Sequence, residues 1–168
     1  MSNPITYLFV PGNRPERFDK ALAAGAGAII LDLEDAVAPT EKAGARSAIA
    51  DWFHLHRDAA ERIVVRINDV QSEWFSDDLA AVRDAGITQI MLQKVEWHEQ
   101  VDQVISTLGG RVKVLPLVET ARGIGNVCEI ALAGGVSRLA FGTLDYALDL
   151  DLSGDEAGLA YPSARMAI

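Results

Sequence analysis

The sequence predicts an α/β fold in which strands and helices alternate, and three observations carry the prediction. Short β-rich runs recur along the chain, helical patterns fill the intervals, and helix start and stop signals fall where the periodicity changes. The β-rich runs are nearly continuous in apolar residues, as expected of parallel strands covered on both faces.

The first strand is expected at Tyr7–Val10, turning at Pro11-Gly12-Asn13 into a helix over Pro15–Ala24. The second, Ala28–Leu33, precedes a helix over Thr40–His54, with Thr40 as N-cap after Pro39. The third, Ile63–Ile67, precedes a helix over Ser72–Ala85 that stops at Gly86. The fourth, Gln89–Leu92, leads to Glu96–Leu108, which ends at Gly109-Gly110. The fifth, Val112–Val118, is followed by a helix from about Gly123 to Ala133, stopped by Gly134-Gly135. A sixth strand, Arg138–Phe141, and the start of a helix at Leu159–Ile168 complete the pattern.

Six such units in 168 residues give roughly 28 residues each, the rhythm of right-handed βαβ crossovers. No linker or low-complexity stretch divides the chain, so residues 1–168 are read as one domain. An open doubly wound sheet and a (β/α)₈ barrel both fit. Neither Gly123-x-Gly125-x-x-Cys128, which lacks the third glycine, nor Gly25-Ala26-Gly27, which precedes a strand, is a dinucleotide fingerprint. A barrel takes about 250 residues, so a barrel here would be truncated after about six units. Its first and sixth strands would then be open edges.

The 15 basic and 24 acidic residues give a net charge of −9, and 49% of residues are hydrophobic against 23% charged. This is a globular composition with a sizeable core, and it excludes disorder and disulfide scaffolds. The acidic balance argues against broad nucleic-acid binding, and no apolar run reaches the roughly 20 residues of a membrane span. Cys128 stands alone, which excludes a cysteine metal cluster and fits a reducing cytoplasm. Met1-Ser2-Asn3-Pro4 lacks the basic and apolar regions of a signal peptide. Cys128 is expected to be a buried small hydrophobe. His54, His56 and His98 fall in helical stretches and read as surface residues.

Polar residues gather where strands end: Asp32-Leu33-Glu34-Asp35, Arg66-Ile67-Asn68, Gln93-Lys94-Val95-Glu96, Glu119-Thr120-Ala121-Arg122 and Gly142-Thr143-Leu144-Asp145. Parallel α/β folds carry their sites at these carboxyl ends. Glu119 and Asp145 would lie on neighbouring strand ends. Two carboxylates without histidine or cysteine suit Mg²⁺ or Mn²⁺, which keep waters and take substrate oxygens. Their structural alternative is a helix cap at Glu119 and a turn at Asp145. Arg66 can grip a carboxylate in bidentate fashion or form an ion pair with Glu34 or Asp35. Lys94, among several carboxylates, stays protonated and is read as electrostatic rather than as a Schiff-base nucleophile.

Six ordered motifs now make a resemblance visible. They are Leu8-Phe9-Val10-Pro11-Gly12-Asn13-Arg14-Pro15-Glu16-Arg17-Phe18, Leu31-Asp32-Leu33-Glu34-Asp35-Ala36-Val37, Val65-Arg66-Ile67-Asn68, Lys94-Val95-Glu96, Glu119-Thr120-Ala121-Arg122-Gly123 and Phe141-Gly142-Thr143-Leu144-Asp145. Together the sequence resembles the HpcH/HpaI aldolase and citrate lyase β-subunit family, especially its citrate lyase β-like branch. Gln93 departs from it, standing where the family often has proline.

The resemblance implies a TIM barrel, trimeric or hexameric, that makes or cleaves a C–C bond beside a thioester or an oxo acid. It implies that Glu119 and Asp145 hold Mg²⁺ and that Arg66 binds a substrate carboxylate or oxygen. Glu34 and Asp35 would lie beside the metal and order its waters, while Arg14 and Lys20 would contact coenzyme A phosphates. An acid/base carboxylate is expected beyond Ile168, in the last barrel units. The expected activity is Mg-dependent cleavage or formation of a malyl-, citramalyl- or citryl-type thioester, giving an acyl thioester and an oxo acid. The rival readings are a pyruvate-type class II aldolase without coenzyme A and a non-catalytic truncated subunit that binds metal or partners only.

Overall fold

In the computed structural model, which describes residues 4–110, 112–152 and 156–167, strands and helices alternate along the chain. Of the leader reading, Met1–Asn3 lie outside the described residues. The contacts gather into two compact units, Met1–Met91 and Leu92–Ile168.

The first unit begins with β1 (Tyr7–Pro11), β2 (Ala28–Asp32) and β3 (Ile63–Ile67), paired in parallel and in sequence order. β4 (Gln89–Leu92) follows β3 in the sheet. Every residue of β2 and β3 is buried, which accounts for their unbroken apolar runs. β1 is bordered by β2 alone among the described residues, and its Leu8 and Phe9 are exposed. Helix α1 (Phe18–Ala23) inserts Phe18 edge-on against Trp52 of α2 (Lys42–Leu55). α2 also buries Ala45, Ile49 and Phe53, while α3 (Phe75–Ala85) buries Phe75, Leu79 and Val82. Each such large side chain contributes about 1.5–3 kcal/mol by leaving water. Gly86, at φ 74°, closes α3 in the left-handed conformation, its N–H donating to the Val82 and Arg83 carbonyls.

Two of the expected boundaries shift for local reasons. α2 starts at Lys42 rather than Thr40, because Pro39–Glu41 forms a separate 3₁₀ turn without a side-chain cap. α3 starts at Phe75 rather than Ser72, because the Ser72 hydroxyl accepts the Trp74 N–H in a local turn.

In the second unit, α4 (His98–Leu108) packs on the unit's core through Val101 and Val104. β5 (Lys113–Val118) pairs in parallel with a short β6 (Ala140–Phe141). The single helix expected over Gly123–Ala133 is two, α5 (Ala121–Gly125) and α6 (Val127–Leu132), broken at Asn126. β6 is shorter than expected and runs directly into α7 (Thr143–Asp149), which the sequence pattern did not reveal. α8 (Glu156–Met166) covers most of the last expected helix, and Ile168 lies outside the described residues. Cys128 is not buried. It is exposed and lines an apolar groove of about 200 Å³ with Val127, Leu132 and Leu139. The short α6 turns Val127 and Ile130 inward, which leaves Cys128 on the outer face. No helix among the described residues is long and apolar enough to cross a membrane.

Candidate active site

In the first unit, the parallel register sets Asp32 at the end of β2 directly beside Arg66 in β3. Arg66 Nε donates to Asp32 Oδ1 and Nη2 to Oδ2, both at 2.7 Å, a fork-to-fork pair. The Arg66 Nη1 then lies 3.0 Å from Glu34 Oε2 and 3.6 Å from Asp35 Oδ2. The Glu34 contact is one of charge, since Oε2 is buried without an aligned hydrogen bond. Arg66 is held over the Phe9 ring, its guanidinium carbon 5.1 Å from the centroid. Asp32 also shapes the loop that carries Glu34 and Asp35, because its carboxylate accepts the Glu34 N–H at 2.8 Å and the Ala36 N–H at 3.2 Å.

The electrostatics follow from burial. Loss of water pushes Glu34 up to about 7, helped by its hydrogen bond with Asp35 and opposed by Arg66. Burial also works against the Arg66 charge, but Asp32 outweighs it and Arg66 ends above its ordinary value. The structure therefore brings together the three predicted residues Arg66, Glu34 and Asp35. It adds one that the sequence pattern did not single out. Asp32 is a carboxylate closing an apolar strand, and only the β2–β3 register shows its partner.

The first βα loop turns at Gly12, whose N–H donates to the Asp32 carbonyl at 2.8 Å. A Cβ there would stand 2.6 Å from that same oxygen, so glycine is what lets the loop approach β2. Arg14 follows, fixed by its N–H to the Pro11 carbonyl at 3.0 Å, and Lys20 lies in α1. Both residues are exposed.

In the second unit, Glu119 follows β5 and is 2% exposed. Its Oε1 accepts the Lys94 N–H at 2.9 Å. Lys94 holds a left-handed backbone at φ 50°, unusual for a residue with a side chain. Lys94 is itself exposed, and it is the backbone rather than the ammonium that makes this contact. Thr120, not Glu119, caps α5, its hydroxyl accepting the Gly123 N–H at 3.1 Å. Gly142 packs against Glu119 so closely that a Cβ would sit 2.6 Å from Oε2. Gly142 is also the N-cap of α7, and Asp145 lies in the first turn of that helix, exposed. Asp145 is thus three residues from the glycine that touches Glu119, on a helix rather than on a strand end.

This donor set fits a hard divalent cation. Glu119 and Asp145 are both carboxylates, the oxygen donors such a cation takes, and the missing Cβ of Gly142 leaves Glu119 Oε2 room that a side chain would fill. Among the described residues no three His, Cys, Asp or Glu side chains cluster as a ready-made cage, so water and substrate would complete the shell. The three histidines belong elsewhere: His54 in α2, His56 just after it and His98 at the start of α4.

Parallel strands that neighbour one another in sequence order, each leading into a helix and ending in charged residues, mark a TIM-barrel-type α/β protein. The profile of the HpcH/HpaI aldolase/citrate lyase family matches residues 6–168, and the chain belongs to that family. It is 42% identical over 139 residues to a citrate lyase subunit beta-like protein of Mycobacterium tuberculosis, covering 83% of this chain and 47% of that protein. It is 36% identical over 146 residues to a (3S)-malyl-CoA thioesterase of Cereibacter sphaeroides, covering 86% of this chain and 50% of the relative. The chain thus spans about half the length of the curated relatives it matches. A crystal structure of CitE from M. tuberculosis with magnesium, acetoacetate and coenzyme A shares the fold at a TM-score of 0.80 and 35% identity, over 96% of this chain and 61% of that one.

Proposed function

We propose that the protein is a Mg²⁺-dependent carbon–carbon lyase acting on a β-hydroxyacyl thioester of the malyl, citramalyl or citryl type. The observation that carries the reading is the buried Arg66, locked along one edge by Asp32 and turned toward Glu34 and Asp35. A guanidinium that cannot swing away is pre-organised to hold a substrate carboxylate or the oxygen that gains charge as the bond breaks. Membership of a family that includes lyases of this kind supports it, as does the CitE complex with magnesium and coenzyme A.

In cleavage, the hydroxyl at C3 gives up its proton and becomes the carbonyl of an oxo acid. The C2–C3 bond breaks, and its electron pair passes to C2 and the thioester carbonyl as an enolate. Protonation at C2 then yields the acyl thioester. Arg66 binds and orients the oxo-acid portion, and Glu34 and Asp35 order water beside it. Glu119 and Asp145 would hold the Mg²⁺, which when bound acts as a Lewis acid toward substrate oxygens. Arg14 and Lys20, exposed on the first loop and helix, offer positive charge to the phosphates of coenzyme A. The assembly is read as a trimer or hexamer working in the cytoplasm, and analytical ultracentrifugation of the full-length protein tests the oligomer.

Product analysis decides the reaction. With malyl-CoA and Mg²⁺, the full-length protein should release glyoxylate and leave acetyl-CoA intact. Free coenzyme A with malate instead would indicate thioester hydrolysis, the activity in the name of the C. sphaeroides relative. No turnover of malyl-, citramalyl- or citryl-CoA would sink the lyase reading.

A further inference from the structure

Beneath the Arg66–Glu34 pair lies a second, fully buried polar cluster that the proposed chemistry does not use. Lys42, the first residue of α2, is 4% exposed. Its Nζ donates to the Leu33 carbonyl at 2.7 Å, to the Glu34 carbonyl at 3.1 Å and to Asn68 Oδ1 at 2.9 Å. These are the three bonds an ammonium can make. Asn68 in turn donates through Nδ2 to the Leu33 carbonyl at 3.0 Å and to Asp78 Oδ2 at 2.7 Å. Asp78, with no exposure at all, also accepts the Asn68 N–H at 2.9 Å and is paired with Arg46 at 3.0 Å.

We propose that Lys42 is a positioning residue of the lyase site, its ammonium fixing the backbone that presents Glu34 to Arg66. The inference rests on the lyase reading above. Two consecutive carbonyls, Leu33 and Glu34, converge on one donor, while the Asp32 carboxylate takes the N–H groups of Glu34 and Ala36 from the same loop. Asn68, two residues past Arg66, ties the other strand end to the same ammonium. The segment between β2 and α2 is therefore held at its N–H groups by Asp32 and at its carbonyls by Lys42, which leaves the Glu34 side chain few positions. Burying a lysine is costly unless it is fully paired, and burial does pull Lys42 below its ordinary value against the pull of Asp78, Glu34 and Asp32. A core held only for stability could be filled at lower cost by an apolar side chain. A paired cation whose partners are the carbonyls of the site loop points to geometry instead.

The test uses the full-length enzyme in the condensation direction, with Lys42→Met and Lys42→Arg. Folded Lys42→Met should raise KM for the oxo acid about 10- to 100-fold, the range for partners one contact removed from a site, with KM for the acyl thioester within about twofold of the parent. Lys42→Arg, which keeps the cation, should recover most of that loss. An oxo-acid KM for Lys42→Met within about twofold of the parent would show a purely structural lysine and overturn the proposal. If Lys42→Met does not fold, Asn68→Ala takes its place, because it removes one acceptor of the ammonium and the second donor to the Leu33 carbonyl. If the parent turns over no thioester, the lyase reading has failed. Positioning is then judged by the ¹³C side-chain carboxyl resonance of Glu34, identified by its loss in Glu34→Gln: movement in the Lys42 variant supports the proposal, and an unmoved resonance rejects it.

Discussion

Arg66 in the first unit is oriented chiefly by other charged side chains, whereas Glu119 in the second receives a backbone N–H and lies against a glycine with no Cβ. The contrast separates two ways of holding a charge in a buried place. A network of side chains concentrates stability in a few partners, so removing one strands the others. A carboxylate seated against backbone is set by steric space, so adding an atom matters more than removing a charge. The units should therefore fail differently when altered.

The largest effect is expected from Asp32→Ala. It removes both hydrogen bonds to a buried guanidinium and the acceptor for the Glu34 and Ala36 N–H groups. Stranding a buried charge in this way costs about 3–5 kcal/mol. Chemical denaturation followed by far-UV circular dichroism measures it. A loss under about 1 kcal/mol would mean that Glu34 and Asp35 take over the guanidinium, and the first unit would be less dependent on one partner than the geometry suggests.

Gly142→Ala probes the second unit by addition. Its Cβ would sit 2.6 Å from Glu119 Oε2 and 2.7 Å from Glu119 Cβ. Overpacking of this kind costs about 1–3 kcal/mol, and the displaced carboxylate should weaken Mg²⁺ binding about tenfold by calorimetry. Unchanged Mg²⁺ affinity in a folded Gly142→Ala protein would separate Glu119 from the metal.

The sequence and structure agree most where one physical signal dominates. β2 and β3 were legible because burial on both faces demands unbroken apolar runs, and Gly86 marked the end of α3 because only glycine takes φ 74° easily. The α5–α6 break and α7 were not, since Asn126 and Gly142 act through their neighbours rather than through periodicity. The same holds for the site. Arg66 and Glu119 stand at strand ends and could be picked by position, Glu34 and Asp35 came with the motif that carries the resemblance, and Asp145 lies in the first turn of α7 instead of at the expected strand end. The pairing of Asp32 with Arg66 and of Lys42 with Asn68 could not be read, because these partners lie 34 and 26 residues away and depend on register and on helix packing. Cys128 was misplaced because a short helix offers too few turns to fix its inner face by pattern alone.

The Glu34 carboxyl makes the first unit's stability depend on pH. Because the folded protein raises Glu34 from 4.5 to about 7, it binds that proton more tightly than the unfolded chain does. The resulting stabilisation is fully present below about pH 4.5 and is lost as pH rises through about 7. Relative to Glu34→Gln, the parent should therefore lose stability between those values and run parallel above them. Urea midpoints across that range give the answer, and parallel curves throughout would place Glu34 in water rather than in the network.

The smallest effect is expected at Lys94, and it tests whether backbone really does the holding in the second unit. A left-handed conformation costs a residue with a Cβ about 1–2 kcal/mol, which glycine avoids. Glycine in exchange loses about 0.5–1 kcal/mol through the freedom of its unfolded chain. Lys94→Gly should thus change stability by about 0–1.5 kcal/mol, toward the stable side. The N–H that reaches Glu119 at 2.9 Å remains in place, so Mg²⁺ affinity should stay near that of the parent, whereas Gly142→Ala weakens it about tenfold. If Lys94→Gly instead tightens Mg²⁺, the lost ammonium had opposed the cation and contributes to the charge balance around Glu119. The second unit would then be a side-chain network like the first.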